Sequence, residues 1–168
     1  MRCVAMDPRQ LVRYNHSQRR AFAEFFVKEL DWDTLTEDHE TSHHTIANVF
    51  MHGCNMEDWY LHSIWPSKPW TGPKYDGFSS AADMLARVLQ VEAKTKAALA
   101  HVGAKELAEV RQVQVSNTQT AKVTLDQILT EMVVEDMHHR GEILAMLWRN
   151  DIEPPYESFL DWSAAHRK

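Results

Sequence analysis

The longest helical pattern in this sequence extends from Thr124 to Asn150. Thr124 is followed three residues later by Gln127, a pairing that is typical of the capping box at a helix start. Beyond it, apolar residues recur at the spacing of one helix face: Ile128, Leu129, Met132, Val133, Ile143, Leu144 and Leu147. A helix with one apolar face needs other elements to cover that face. The pattern therefore predicts a fold in which further helices pack against this one.

Two earlier stretches also begin and end with helix signals. Asp7-Pro8 offers a capping carboxylate followed by proline at the first helical position, and helical spacing then continues to about Leu30. The second stretch begins where Thr41 or Ser42 can cap it, and it lasts until Trp65-Pro66. These boundaries predict the first two helices of a bundle.

A third helix is predicted from Ser80, which has Asp83 three residues later, to the neighbourhood of Gly103. The segment 31–43, before the second helix, is too polar and aperiodic for a core helix. The segment 67–78, after the second helix, is dense in Gly and Pro. Both segments are therefore predicted to be connections.

Residues 110–123, between the third and last helices, have a different pattern. They are rich in β-branched residues that partly alternate, and Ser116-Asn117 can form a turn, so a short β-hairpin is predicted here. No repeat or low-complexity segment divides the chain. We therefore expect an all-α fold, a single four-helix-bundle domain over residues 1–168 with a short hairpin between helices three and four.

Charge and apolar content exclude several classes of function. The formal net charge is −6 and no long basic stripe is present, which argues against nucleic acid as a partner. No apolar run approaches the roughly 20 residues that span a bilayer, and the first residues lack the apolar segment of a signal peptide. We expect a cytoplasmic protein that does not bind membranes, in which Cys3 and Cys54 are reduced.

Glu135 and His139 form the most informative pair of polar residues in the chain. They are four residues apart within the last helical pattern, so they lie on the same helix face with Cβ atoms roughly 5–6 Å apart. A carboxylate oxygen and an imidazole nitrogen at that spacing can converge on one cation. His52, on the second predicted helix, is the best candidate for a third ligand.

A set of motifs in a particular order points to a known family. The set comprises His52, Glu57, the pair Trp59-Tyr60, the tripeptide His139-Arg140-Gly141, and the segment 147–155 that leads to Phe159 and Trp162. In order, separation and helical context, these motifs resemble the DinB family over nearly the whole chain. The resemblance implies an up-down-down-up four-helix bundle, often dimeric, that holds a divalent metal with three side chains from helices two and four.

The resemblance also implies which residues bind the metal. The histidine of helix two falls on His52 and that of the His-Arg-Gly motif on His139, while the third ligand position falls on Glu135. Relatives usually have histidine there. Two imidazoles and one carboxylate resemble the ligand sets of non-haem iron sites and zinc proteases. We expect one divalent ion, with zinc or nickel ahead of iron or manganese.

Other histidines are weaker candidates for metal binding. His138 is adjacent to His139 and points about 100° away from it on a helix, so we expect a surface or interface position. His39, His43 and His44 lie at the end of a predicted loop and the start of a predicted helix, where polar residues are common. Without the family pattern, even a Glu–His pair at helical spacing is more often a solvated contact than a metal site.

Several neighbouring residues are predicted to surround the site. Trp59 follows His52 by seven positions and Glu142 follows Glu135 by seven, so both should line the same cavity, although ordinary core packing is the favoured interpretation of Trp59. Glu142 is a candidate general base, with a supporting or solvated carboxylate as the alternative.

Two further residues have open roles. For Glu57 we expect an ion pair with Arg140 rather than metal ligation. Tyr14 on the first helix either reaches the cavity or caps the bundle with its phenol.

The family resemblance leaves two classes of function open. One is a metal-dependent transferase of the thiol S-transferase type, or a hydrolase, acting on a small molecule such as a low-molecular-weight thiol. The other is a non-catalytic metal-binding stress-response bundle. We favour the enzyme. We also expect a homodimer, with Trp65, Trp70 and Phe78 in an apolar patch beside the second connection.

Overall fold

A computed structural model describes residues 7–41, 43–116 and 118–166 of the chain. In this part of the chain the structure is predominantly helical, as predicted. In chain order, the elements are α1 (Pro8–Glu29), α2 (Trp32–Thr36), α3 (Ile46–Trp59), α4 (Ala81–Leu99), α5 (Ala104–Leu107), β1 (Val110–Ser116), β2 (Gln119–Thr124), α6 (Leu125–Arg149) and α7 (Phe159–Ala165). A π-helical segment, Tyr60–Ile64, extends α3 towards Trp65, where the second helix was predicted to end.

Three helix starts lie where the capping sequences placed them. The side chain of Asp7 accepts a hydrogen bond from the backbone N–H of Arg9 at the start of α1. Ser80 caps α4 in the same way, and Thr124 forms a reciprocal capping box with Gln127 at the start of α6. These caps depend on residues three positions apart at most, so local sequence identifies them.

The start of α3 differs from the prediction. Thr45, and not Thr41, caps this helix by accepting the N–H of Asn48, and Ser42 lies outside the described residues. The chain before Thr45 turns back on itself, because the N–H of His39 donates to the carbonyl of His44 at 2.7 Å. Backbone in such a turn cannot also be helical, so α3 begins only after it.

The segment predicted as the loop 31–43 contains the short helix α2. Asp31 caps it through the N–H of Thr34, and Leu35 is fully buried in the core. One buried leucine on a single helical turn gives no periodicity to detect, so the sequence pattern missed it. The third long helix, α4, ends at Leu99, before the predicted Gly103.

A hairpin and a terminal helix complete the chain. Strands β1 and β2 are antiparallel, with Val110 opposite Thr124, which confirms the predicted hairpin, although Asn117 of its turn lies outside the described residues. Helix α7 was not predicted. It packs on α1 through the buried Trp162, whose ring contacts Tyr14 at a centroid distance of 5.7 Å.

The four long helices have the up-down-down-up arrangement. Arg87 bonds Asn55 near the start of the α3–α4 contact and Lys94 pairs with Asp58 further along, so α3 and α4 are parallel. Helix α1 contacts α4 and α6 but lies diagonally across from α3. It is antiparallel to α4, because Arg20 pairs with Glu92 and Arg9 reaches the carbonyl of Val102.

A layer of buried polar residues divides the core into two apolar clusters. One cluster includes Phe22, Phe26, Met51 and Leu147, and the other includes Val12, Leu61, Ile64 and Leu129. On each long helix, buried polar residues lie between the two clusters: Asn15, His16, Gln18 and Arg19 on α1, Asn55, Glu57 and Asp58 on α3, Glu92 and Thr95 on α4, and Asp136, His139 and Arg140 on α6. Functional side chains are therefore concentrated at mid-height in the bundle.

None of the helices in the described ranges is long and apolar enough to cross a membrane.

Candidate metal centre

The three predicted ligands meet where the polar layer reaches the surface between α3 and α6. His52 Nε2 lies 3.6 Å from Glu135 Oε1, and His139 Nε2 lies 3.1 Å from the same oxygen. His139 is buried, whereas His52 and Glu135 are partly exposed. The structure thus brings together two imidazole nitrogens and one carboxylate oxygen in a position that solvent can reach.

A fourth residue, His43, joins this group from the turn before α3. Its ring stacks on that of His52, with centroids 4.1 Å apart and planes 25° apart, and lies edge-on to that of His139 at 5.3 Å. His43, His52 and His139 can each offer one ring nitrogen such that the three atoms lie within 4.8 Å of one another. Sequence reasoning assigned His43 to an ordinary polar loop, and no helical spacing connects it to the other ligands.

Glu142 contacts His139, one of the candidate ligands, on the Nδ1 side of its ring. Its Oε2 lies 3.0 Å from His139 Nδ1, on the opposite side of the ring from Glu135. With Glu142 ionised, the Nδ1–H donates to it, which leaves the lone pair on Nε2 facing Glu135 and His52. Carboxylates that hold metal-ligating histidines in this tautomer are common. The geometry therefore favours a supporting role for Glu142.

His138 is exposed, as predicted. Its side chain is 68% exposed, against 9% for His139, and its Nε2 lies 3.7 Å from Glu142 Oε1. His138, His139 and Glu142 form a second group whose donor atoms could hold an ion. This group is the geometric rival of the predicted site.

Burial and mutual repulsion keep His43 and His52 in the form that binds metals. Burial lowers the pKa of His52, and the nearby rings of His43 and His139 lower it further. Burial also lowers the pKa of His43, again with a contribution from His139. A lowered pKa favours neutral imidazole, which has a free lone pair.

A cavity of about 600 Å³ opens beside His52. Its lining includes His52, Trp59, Trp70, Lys74 and Tyr75. Trp59 thus lines the cavity as predicted, whereas Glu142 is not among its lining residues. The cavity is within the usual size range for small-molecule sites, and one of the proposed ligands forms part of its wall.

One glycine shapes this cavity. A Cβ at Gly72 would overlap the ring of Trp70. No side chain can be accommodated there without moving the indole. Gly72 therefore allows Trp70 to fold back over the connection and form part of the cavity wall.

The prediction that Glu57 pairs with Arg140 is wrong. Glu57 is buried and accepts from Arg19 Nη1 at 2.7 Å, while its other oxygen lies 2.7 Å from His16 Nε2. Arg140 instead lies 3.9 Å from Asp136 and over the ring of Tyr14. The charged partners of Glu57 come from α1, and Thr95 on α4 also donates to it. Sequence spacing within α3 and α6 cannot reveal these contacts.

The charges in this buried network stabilise one another. Arg19 also donates from Nε to Asp136 Oδ1 at 3.0 Å, so one guanidinium bridges two carboxylates. Burial alone would raise the pKa of Glu57, but the charges of Arg19 and His16 outweigh it and hold this pKa well below its ordinary value.

Tyr14 and Cys54 lie outside the candidate metal centre. The phenol of Tyr14 donates to the carbonyl of Glu157 at 2.8 Å, so Tyr14 caps the bundle and anchors the tail. Cys54 is a free, buried cysteine, and burial raises the pKa of its thiol to about 12. A thiol with so high a pKa is a poor nucleophile and a poor metal ligand at neutral pH.

Comparison with known proteins supports this assignment of the fold. The crystal structure of a DinB-like protein from Bacillus cereus superposes with a TM-score of 0.71 at 16% sequence identity, and the alignment covers 90% of this chain and 95% of that one. A search of curated proteins gave no match. The sequence matches the DinB family over residues 3–155. The chain therefore belongs to the DinB family.

Proposed function

We propose that the protein binds one divalent metal ion through His52, Glu135 and His139. The observation that carries this proposal is the convergence of His52 Nε2 and His139 Nε2 on a single oxygen of Glu135, at 3.6 and 3.1 Å. Among the described residues, Glu135 forms its ion pairs with histidines and with no lysine or arginine. A bound cation would supply the missing positive charge.

The donor set fits a metal of the first transition series. Imidazole nitrogen and carboxylate oxygen suit zinc and nickel, and they also suit iron and manganese. We propose zinc or nickel as the native ion, because two of the three ligands are imidazoles. When bound, the ion would supply Lewis acidity towards a thiol or a water.

The cavity beside His52 suggests what the protein does with this ion. Trp59, Trp70 and Tyr75 give the cavity an aromatic wall that can hold the apolar part of a small molecule, and Lys74 offers a cation at its edge. A substrate seated there would have its reactive group next to His52. We propose a metal-dependent transferase of the thiol S-transferase type, or a hydrolase, with a low-molecular-weight thiol as a candidate substrate.

Glu142 has a positioning role in this proposal. Its contact with His139 Nδ1 fixes the ring orientation and the tautomer, so that Nε2 is directed towards Glu135. Glu142→Gln should weaken metal binding without abolishing it, since an amide oxygen can still accept the Nδ1–H.

Metal analysis of two variants at adjacent positions tests the proposal. His139→Ala should lose stoichiometric metal, whereas His138→Ala, which changes an exposed ring, should retain one equivalent. A full equivalent in His139→Ala at unchanged affinity would contradict the proposed site. Metal-loaded protein is then assayed for thiol transfer and for hydrolysis; stoichiometric metal with neither activity would favour the non-catalytic stress-response bundle.

Two of the three aromatic residues predicted to form a dimer patch are partly buried in the structure. Trp65 and Phe78 are partly buried against different core clusters, and Trp65 also lies under the guanidinium of Arg111, so these side chains are less available for a partner than the sequence suggested. Trp70 remains exposed at the mouth of the cavity. The homodimer and the cytoplasmic location stay predictions, and light scattering at micromolar concentration tests the first.

A further inference from the structure

The turn that carries His43 is held in place by its own backbone. The N–H of His39 donates to the carbonyl of His44, that of His44 to Thr41, and that of Thr45 to His43, at 2.7, 3.1 and 2.8 Å. His44 has a positive φ of 66°, a conformation that non-glycine residues adopt infrequently. The turn joins α3 directly at its cap, so His43 has a defined position against the first turns of that helix.

One ring nitrogen of His43 has no hydrogen-bond partner among the described residues. The Nδ1 atom of His43 is buried, and it forms no hydrogen bond with any of the described residues. The ring lies between Tyr75, at a centroid distance of 5.2 Å, and the rings of His52 and His139. A buried polar atom without a partner is unfavourable, and such atoms commonly indicate an ion or water that satisfies them.

We propose that His43 is a fourth ligand of the metal ion, which gives a centre of three imidazoles and one carboxylate. This inference rests on the proposed function above, because it adds a ligand to the same site. It is carried by two independent observations, the unpartnered buried Nδ1 of His43 and the approach of its ring nitrogen to those of His52 and His139 within 4.8 Å.

A fourth protein ligand changes what the centre can bind. Three protein ligands leave one position of a tetrahedral ion open to an exogenous ligand, whereas four fill it. His52, Glu135 and His139 belong to long packed helices, but His43 belongs to a short turn outside them. An exogenous thiol or imidazole would therefore compete with His43, the ligand that can leave without displacing a helix.

Substitution at position 43 separates ligation from packing. His43→Ala removes the ring, and His43→Phe keeps an aromatic ring to stack on His52 but has no nitrogen. His44→Asn is the matched control, since His44 is exposed and asparagine tolerates its positive φ. The probe is Co²⁺ alone, whose visible absorption reports coordination number and whose affinity is measured by competition with a chelator.

Both His43 variants should bind Co²⁺ at least about 10-fold more weakly than the parent, because even residues that only orient ligands cost that much. Free imidazole should bind the Co²⁺ centre of His43→Ala more tightly than that of the parent and restore its spectrum. His44→Asn should behave as the parent.

Three other results would overturn the inference, each in a distinguishable way. Parental affinity and spectrum in both variants would show that His43 is not a ligand. Weak binding in His43→Ala with parental binding in His43→Phe would show that the ring only packs. If the parent itself binds no Co²⁺, the proposed metal site fails, and the inference fails with it.

Discussion

Two charged clusters lie side by side on α3 and α6, and they are built on opposite principles. In the buried network, Glu57 and Asp136 are both paired with the guanidinium of Arg19. In the candidate metal centre, the ion pairs that Glu135 forms among the described residues are with the rings of His52 and His139. Glu135 and Asp136 are adjacent in sequence, but they belong to different clusters because adjacent residues on a helix point about 100° apart.

The difference shows how similar residues acquire different roles. Where the protein supplies its own counter-charge, a buried carboxylate is part of the architecture. Where it supplies imidazoles and no fixed cation, a carboxylate and its neighbouring rings can offer lone pairs to a metal ion. We therefore expect the first cluster to control folding and the second to control binding, with little overlap between the effects of their substitutions.

The largest expected effect comes from removing the bridging cation. Arg19→Met leaves Glu57 and Asp136 buried without their main partner, and breaking a buried pair in this way costs about 3–5 kcal/mol. Chemical denaturation measures the free energy of unfolding. Arg13→Met, at an exposed position on the same helix, should change it by less than about 0.5 kcal/mol. Equal effects of the two substitutions would contradict a structural role for the network.

Metal binding should stabilise the fold through the other cluster. A metal concentration of about 100 times the dissociation constant should raise the free energy of unfolding by about 2.7 kcal/mol. This metal-dependent increase in the free energy of unfolding should be present in His138→Ala and absent in His139→Ala. Thermal or chemical unfolding with and without a chelator measures it, and a metal increment that survives in His139→Ala would rule out the assigned ligand.

The buried network should also make stability depend on acid pH. The folded pKa of Glu57 lies below its ordinary value of 4.5, so its stabilisation is fully present above that pH and is lost as the pH falls towards the folded pKa. Between the two values, one such group contributes a slope of about 1.4 kcal/mol per pH unit. Glu57→Gln should be less stable at neutral pH and have a correspondingly shallower slope below pH 4.5. An unchanged slope would place the acid sensitivity elsewhere.

The smallest effects should separate the ligands of the metal centre. Glu135→His keeps a ligand on the same face at the same spacing and should retain the metal, whereas Glu135→Leu should bind it at least about 10-fold more weakly. Isothermal titration gives the two affinities. If Glu135→Leu binds as tightly as the parent, then Glu135 is a bystander.

The features that sequence could predict are the local ones. The caps at Asp7, Ser80 and Thr124 and the spacing of Glu135 and His139 involve residues within one helical turn, and the structure has them where they were expected. These features, with the family motifs, were enough to predict a helical bundle and a candidate pair of ligands.

The features that sequence could not predict depend on long-range contacts. The partners of Glu57 lie on α1 and α4, and the position of His43 follows from a turn closed between His39 and His44. Helix α7 depends on the docking of Trp162 against Tyr14. None of these contacts leaves a periodic trace in the sequence, so the candidate metal centre was predicted without His43.

The central claim is the location of the ion, and anomalous scattering at the metal edge from crystals of metal-loaded protein tests it most directly. The account predicts one peak bound by His52, Glu135 and His139, at about 2.0–2.2 Å from their donor atoms if the ion is zinc. A peak held instead by His138, His139 and Glu142, or no peak at either group, would contradict it.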